Sequence, residues 1–135
     1  MKTIALSLFL VVFGFSMQAQ KLRDGNGLYI GEIDNKGKIT DGNGHYKGSV
    51  DNEGKVLDSY GHYAAEVDSK GKVTDGYGHF IGEIDSKGKV TDGNGHYIGE
   101  IDDNGKVTDG YGHYIGDAKG VDKHKAALVY FFSKP

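Results

Sequence analysis

Apolar residues fall in three patterns along this chain. Ile4 to Phe15 is an almost unbroken apolar block behind Lys2, and Ala126 to Phe132 is a second continuous run. Between them, single apolar positions recur at a fixed interval. One phrase restarts every 17 residues, at Asp24, Asp41, Asp58, Asp75, Asp92 and Asp109, with five full copies and a sixth that departs after Asp117. It reads roughly D-G-[N/Y]-G-H-[Y/F]-I-G-E-[I/V]-D-x-x-G-K-[V/I]-T.

Within HYIGEI the period is two, the spacing of a strand. Tyr97, Gly99 and Ile101 share one face; His96, Ile98 and Glu100 share the other. The middle of the second face runs Ile30, Lys47, Ala64, Ile81, Ile98, Ile115. A position that admits lysine is not deep core, so the Tyr–Gly–Ile face is expected to point inward, joined by Val107-type residues of the returning strand. The segment Asp85-Ser86-Lys87-Gly88 carries Asp first and Gly fourth, the signature of a type I turn closing on a glycine with positive φ. With strand patterns on both sides it predicts a β-hairpin with a G1-type bulge. The second turn signal is DGNG or DGYG. Its last glycine is present in all six copies, which places the strained backbone there.

A unit of this kind buries about three sizeable side chains, too few for one hairpin to be stable alone. The copies must pack on each other, which is the reason for repetition. Seventeen residues are too few for a four-stranded propeller blade. A parallel β-helix would stack Lys38, Lys55, Lys72, Lys89 and Lys106 directly, and likewise Glu32, Glu66, Glu83 and Glu100. Like charges in register are destabilising. The expected fold is therefore all-β, a radial array of repeated hairpins. The seven-residue run ending at Phe132 is too continuous for a half-exposed strand, so residues 125–132 are expected to form a buried strand that closes the array.

The first block has the layout of an export signal: a positive start, an apolar centre, and a small residue, Ala19, at the end. About 12 apolar residues fall short of the roughly 20 that span a bilayer. Residues 1–19 are thus expected to be a cleaved signal peptide, residues 20–135 a single β-repeat domain in the periplasm or outside the cell, with no membrane span after cleavage. The absence of cysteine removes disulfide staples. The formal net charge of −3, spread evenly over the copies, gives no basic stripe for nucleic acid.

Short units carrying IG-x-[I/V], followed by IGDAKGVDKHKAALVYFF after a signal peptide, resemble the five-fold β-flower proteins of Bacteroidota-type bacteria. The resemblance covers the repeats and the tail, and its most specific piece is IGDAKGV with the Ala-Ala and aromatic run. It implies hairpin petals around an axis and supplies no catalytic residues. The chain has more copies than that pattern and carries His where Ser or Thr is common, which leaves the number of petals open.

The repeated polar residues are the candidate chemistry. His45, His62, His79, His96 and His113 fall 17 apart, with Leu28 in the first copy. Imidazole suits zinc, copper or nickel, but ligands must lie about 2 Å from one ion. A wide ring of histidines does not achieve that, so no metal or other cofactor is expected, and a His-based metal-binding protein stands only as an alternative. Calcium is disfavoured because Tyr60, Tyr77 and Tyr111 interrupt the acidic loop positions. Equal sites in every copy argue against an enzyme, which needs one asymmetric constellation. Tyr60, Tyr77 and Tyr111 are candidates for stacking on sugar rings. The expected function is an exported, non-enzymatic structural or interaction module, with a multivalent glycan-binding (lectin-like) protein as another alternative. The expected partner is a cell-surface glycan or protein.

Overall fold

The computed structural model describes residues 19–133, so the expected export signal lies, apart from Ala19, outside the described residues. Twelve strands are present there: β1 (Gln20–Asp24), β2 (Tyr29–Ile33), β3 (Lys38–Asp41), β4 (Tyr46–Val50), β5 (Lys55–Leu57), β6 (Tyr63–Val67), β7 (Lys72–Asp75), β8 (Phe80–Ile84), β9 (Lys89–Asp92), β10 (Tyr97–Ile101), β11 (Lys106–Asp109) and β12 (Tyr114–Asp117). Each pairs antiparallel with its neighbours in sequence, and β1 pairs with β12, so the sheet closes into a barrel. Equivalent residues of successive copies are two strands apart, about 10 Å by strand spacing. The parallel stack is thereby excluded. Lysines face acids instead: Lys21, Lys55, Lys72, Lys89 and Lys106 stand opposite Glu32, Glu66, Glu83, Glu100 and Asp117.

Five hairpins are contiguous in the chain, from β2–β3 to β10–β11. The sixth pair joins the two ends of the domain through Arg23 opposite Asp117 and Asp24 opposite Gly116. Lys21-Leu22-Arg23-Asp24 is a fragment of the K-[V/I]-T-D phrase, and it supplies the strand that the sixth copy lacks.

The strand face read from strict alternation needs one correction. Tyr29, Tyr46, Tyr63, Phe80, Tyr97 and Tyr114 lie on the outside, 39–42% exposed. Between β9 and β10 the register runs from Tyr97 opposite Thr91 to Gly99 opposite Val90, leaving Ile98 as an extra residue. This bulge resets the alternation. Gly99 and Ile101 remain buried, while Ile98 packs against the core from a half-buried position. Every copy has the extra residue at the position that tolerated lysine: Ile30, Lys47, Ala64, Ile81, Ile98 and Ile115. Outside, the ring of each aromatic from Tyr46 onward meets a lysine ammonium 5.6–5.9 Å from its centre. The core is made of Leu22, Ile33, Val50, Val67, Ile84 and Ile101 with Val73, Val90 and Val107.

Residues 125–132 do not form the expected closing strand. Lys123–Ala127 is a short helix, α1, and Leu128–Phe132 continues it as a π-helical turn. The reason is the closed sheet. A barrel leaves no free strand edge, so an apolar segment inside must satisfy its own amides, and a helix does so. Asp122 caps α1 by accepting from the Lys125 amide at 3.1 Å. Ala126 and Ala127 are fully buried in the core. Beyond them Tyr130, Phe131 and Phe132 meet Gly116, Gly99 and Gly82, one ring to each of three successive copies. A Cβ on Gly82 would lie 2.5 Å from the Phe132 ring. The third copy carries Ala65 at this position. The Tyr130 hydroxyl donates to Arg23 O at 2.6 Å and also approaches Asp117 O at 3.1 Å, bridging the two strands of the seam.

Two outcomes follow from the plug. Gly82→Ala should destabilise the protein by about 1–3 kcal/mol through overpacking, read as a lowered midpoint in urea, whereas Ala65→Gly should cost under about 1 kcal/mol. Burial pushes the Tyr130 phenol up from 10.0 to about 12, so the folded state holds its proton longer than the unfolded chain. Its stabilising contribution is complete below pH 10.0 and is lost as pH rises towards about 12. Tyr130→Phe should lower stability by about 1 kcal/mol near neutral pH, and the gap to the parent should narrow across that alkaline window.

Candidate functional site

The alternation of turns gives the barrel two unlike ends. The DGNG and DGYG turns line one end, here the rim. The D-x-x-G turns and the start of the tail line the other, the base.

Both turn types are built on one aspartate. In each rim turn the Asp Oδ1 accepts the amides two and four residues on. Asp75 accepts from Tyr77 and His79, both at 2.9 Å. The same pair of bonds recurs at Asp24, Asp41, Asp58, Asp92 and Asp109. The turn closes on a glycine with positive φ, such as Gly78 at 86°, as the sequence indicated. The base turns repeat this geometry, but their glycines have a second duty. Gly37 accepts the Val50 amide at 2.9 Å, and a Cβ there would collide with the Val50 carbonyl, so each base turn locks onto the next copy.

These bonds set the electrostatics of the rim. The carboxyls of Asp41, Asp58, Asp75, Asp92 and Asp109 are held below 3.8, chiefly by the amide of the histidine in the same turn. Their second oxygens face imidazole Nδ1 atoms at 3.4, 3.5, 3.3, 3.5 and 3.2 Å for His45, His62, His79, His96 and His113. The histidine side chains are 75–77% exposed.

All eight candidate residues of the sequence reading thus stand on the rim. Tyr60, Tyr77 and Tyr111 are 84, 89 and 89% exposed, each with its ring 6.2 Å from the histidine of its own turn. They differ from the belt aromatics, which from Tyr46 to Tyr114 lie under lysines. The histidines do not converge. Each meets one carboxylate of its own turn, and among the described residues no three His, Cys, Asp or Glu side chains group to hold a metal ion.

The sequence reading missed a cleft at the base. It has a volume of about 380 Å³ and lies between the turns at residues 51–54 and 68–69 and the start of α1, with Glu53, His124 and Lys125 in its walls. It exists because the tail turns inward as a helix. The signal for that was Asp122 three residues before Lys125-Ala126-Ala127, a capping residue ahead of good helix formers.

The family described as 5-fold beta-flower protein matches residues 19–134, and the chain belongs to it. No curated protein matches the chain. The β-flower repeat fold is not a known enzyme class. Among the described residues no helix is long and apolar enough to cross a membrane.

Because depressed carboxyl values stabilise the folded state above the unfolded value, the contribution of the rim turns should be intact above about pH 4 and lost as pH falls below it. Far-UV circular dichroism should show the sheet melting at lower temperature below that point. Asp75→Asn, which keeps an accepting oxygen, should flatten the pH dependence more than it lowers neutral stability. Zinc titrated into the protein should release no saturable heat, since each imidazole has one carboxylate beside it rather than a ligand set.

Proposed function

We propose that this β-flower chain is an exported, non-enzymatic interaction module of the periplasm or the cell exterior, and that the rim is its binding face. The observation that carries the reading is the exposure of Tyr60, Tyr77 and Tyr111, 84–89%, on one end of a barrel whose belt aromatics are only 39–42% exposed. Large rings left open to water in a small protein mark contact surfaces. The six equivalent turns favour a multivalent partner, and avidity then substitutes for depth of pocket. Export is supported by the apolar block behind Lys2.

A glycan is the partner chemistry that the rim suits best. Tyrosine rings stack on sugar faces, and Asn26, Asn43 and Asn94 at the equivalent position of the other turns offer hydrogen-bonding edges. A glycan array probed with the protein and with Tyr77→Ala tests this. Binding to a set of sugars that drops about tenfold in the variant is the expected result. Equal binding by both, or no bound sugar at all, removes the glycan reading and leaves the rim to a protein partner. Terminal sequencing of the protein recovered from the periplasm or medium should begin near Gln20.

A further inference from the structure

The rim concentrates nearly all its titratable groups in one circle. Six carboxylates, Asp24, Asp41, Asp58, Asp75, Asp92 and Asp109, anchor its turns, and five of them have an imidazole within 3.2–3.5 Å. The fixed cations of this end are Arg23, which donates to Gly27 O at 3.2 Å, and Lys47 at the bulge of the second copy. Six negative charges against two positive ones leave the circle at about −4 while the imidazoles are neutral. Protonating all five brings it to about +1. Histidine is the side chain whose charge changes between neutral and mildly acidic solution.

We propose that the rim is an acid-triggered contact between two copies of this chain, face to face. At neutral pH two like-charged circles repel, and net charge of one sign keeps proteins apart. When the histidines charge, the repulsion vanishes and each His⁺ of one copy can meet an Asp carboxylate of the other. Tyr60, Tyr77 and Tyr111 then supply the apolar contact, since they are the most exposed large rings among the described residues. A two-fold arrangement lets the same patch serve both copies. A twelve-stranded barrel end is about 25–30 Å across, which gives roughly 600 Å² on each side. That is the low end for stable contacts, so the association is weak and concentration-dependent. The inference rests on the rim being a contact face.

Sedimentation velocity at about pH 7.5 and about pH 5.5 tests it. The expected result is a monomer at the higher pH and a mass approaching that of a dimer at the lower one, reversible on return. The variant with all five rim histidines changed to glutamine keeps its turns, because each aspartate Oδ1 accepts two backbone amides whatever side chain stands beside the second oxygen. It should remain monomeric at both values, with an unchanged circular dichroism spectrum. The Tyr60→Ser, Tyr77→Ser, Tyr111→Ser variant, which keeps all five rim histidines, should also lose the dimer. No change of mass in the parent overturns the proposal, and so does a variant without the five rim histidines that dimerises as the parent does. Acid dimers in a protein that binds no glycan and no protein partner would sink the proposed function and leave this inference standing; partner binding without acid dimers would do the reverse.

Discussion

Closure of the sheet is the constraint on which the rest of the molecule depends. Once β1 pairs with β12, every strand edge is occupied and the interior becomes a bounded space. The apolar tail can enter that space only in a form that satisfies its own backbone, and it must match the space in shape. Its alanines are fully buried in the core, and its rings extend where glycines leave room. Tyr130 returns the favour by tying the carbonyls of Arg23 and Asp117, the two strands whose pairing closes the circle. Sheet and plug are thus mutually dependent: neither has a complete core without the other.

The second organising element is the aspartate turn. One carboxylate oxygen serves two amides, and this is repeated at both ends of the barrel. In each such turn one carboxylate oxygen is therefore engaged by the chain's own amides. This explains why the third position of a rim turn is free to vary between Asn26 and Tyr77. Only the backbone amide of that residue is used, so its side chain is available for other purposes.

Much of this was legible in the sequence. The period, the two turn signals and the like-charge argument led to a radial all-β array, and the glycine common to all six rim turns marked the positive φ. Two features were not legible, each for a physical reason. The bulge adds one residue per copy without any turn signature, so simple alternation put Tyr97 inside. The clue was Lys47, which marked the extra residue rather than an exposed face. The tail was read as a strand because a seven-residue apolar run fits a buried strand or a buried helix equally by pattern. What decided between them was the lack of a free edge, a property of the assembled sheet and of no segment within it. The rim residues were identified from their recurrence alone, and their shared end of the barrel follows from the up-and-down order of the strands.

The three ring-to-glycine contacts have an evolutionary side. Tyr130, Phe131 and Phe132 are consecutive in the tail, yet they address glycines spaced one whole repeat apart. Adding or removing a copy by unequal recombination would alter the angle between neighbouring slots, while the tail would keep its own pitch. The tail therefore acts as a gauge of copy number: the repeats can drift in their turn residues, but a change in how many there are must be matched by a rewritten C-terminus.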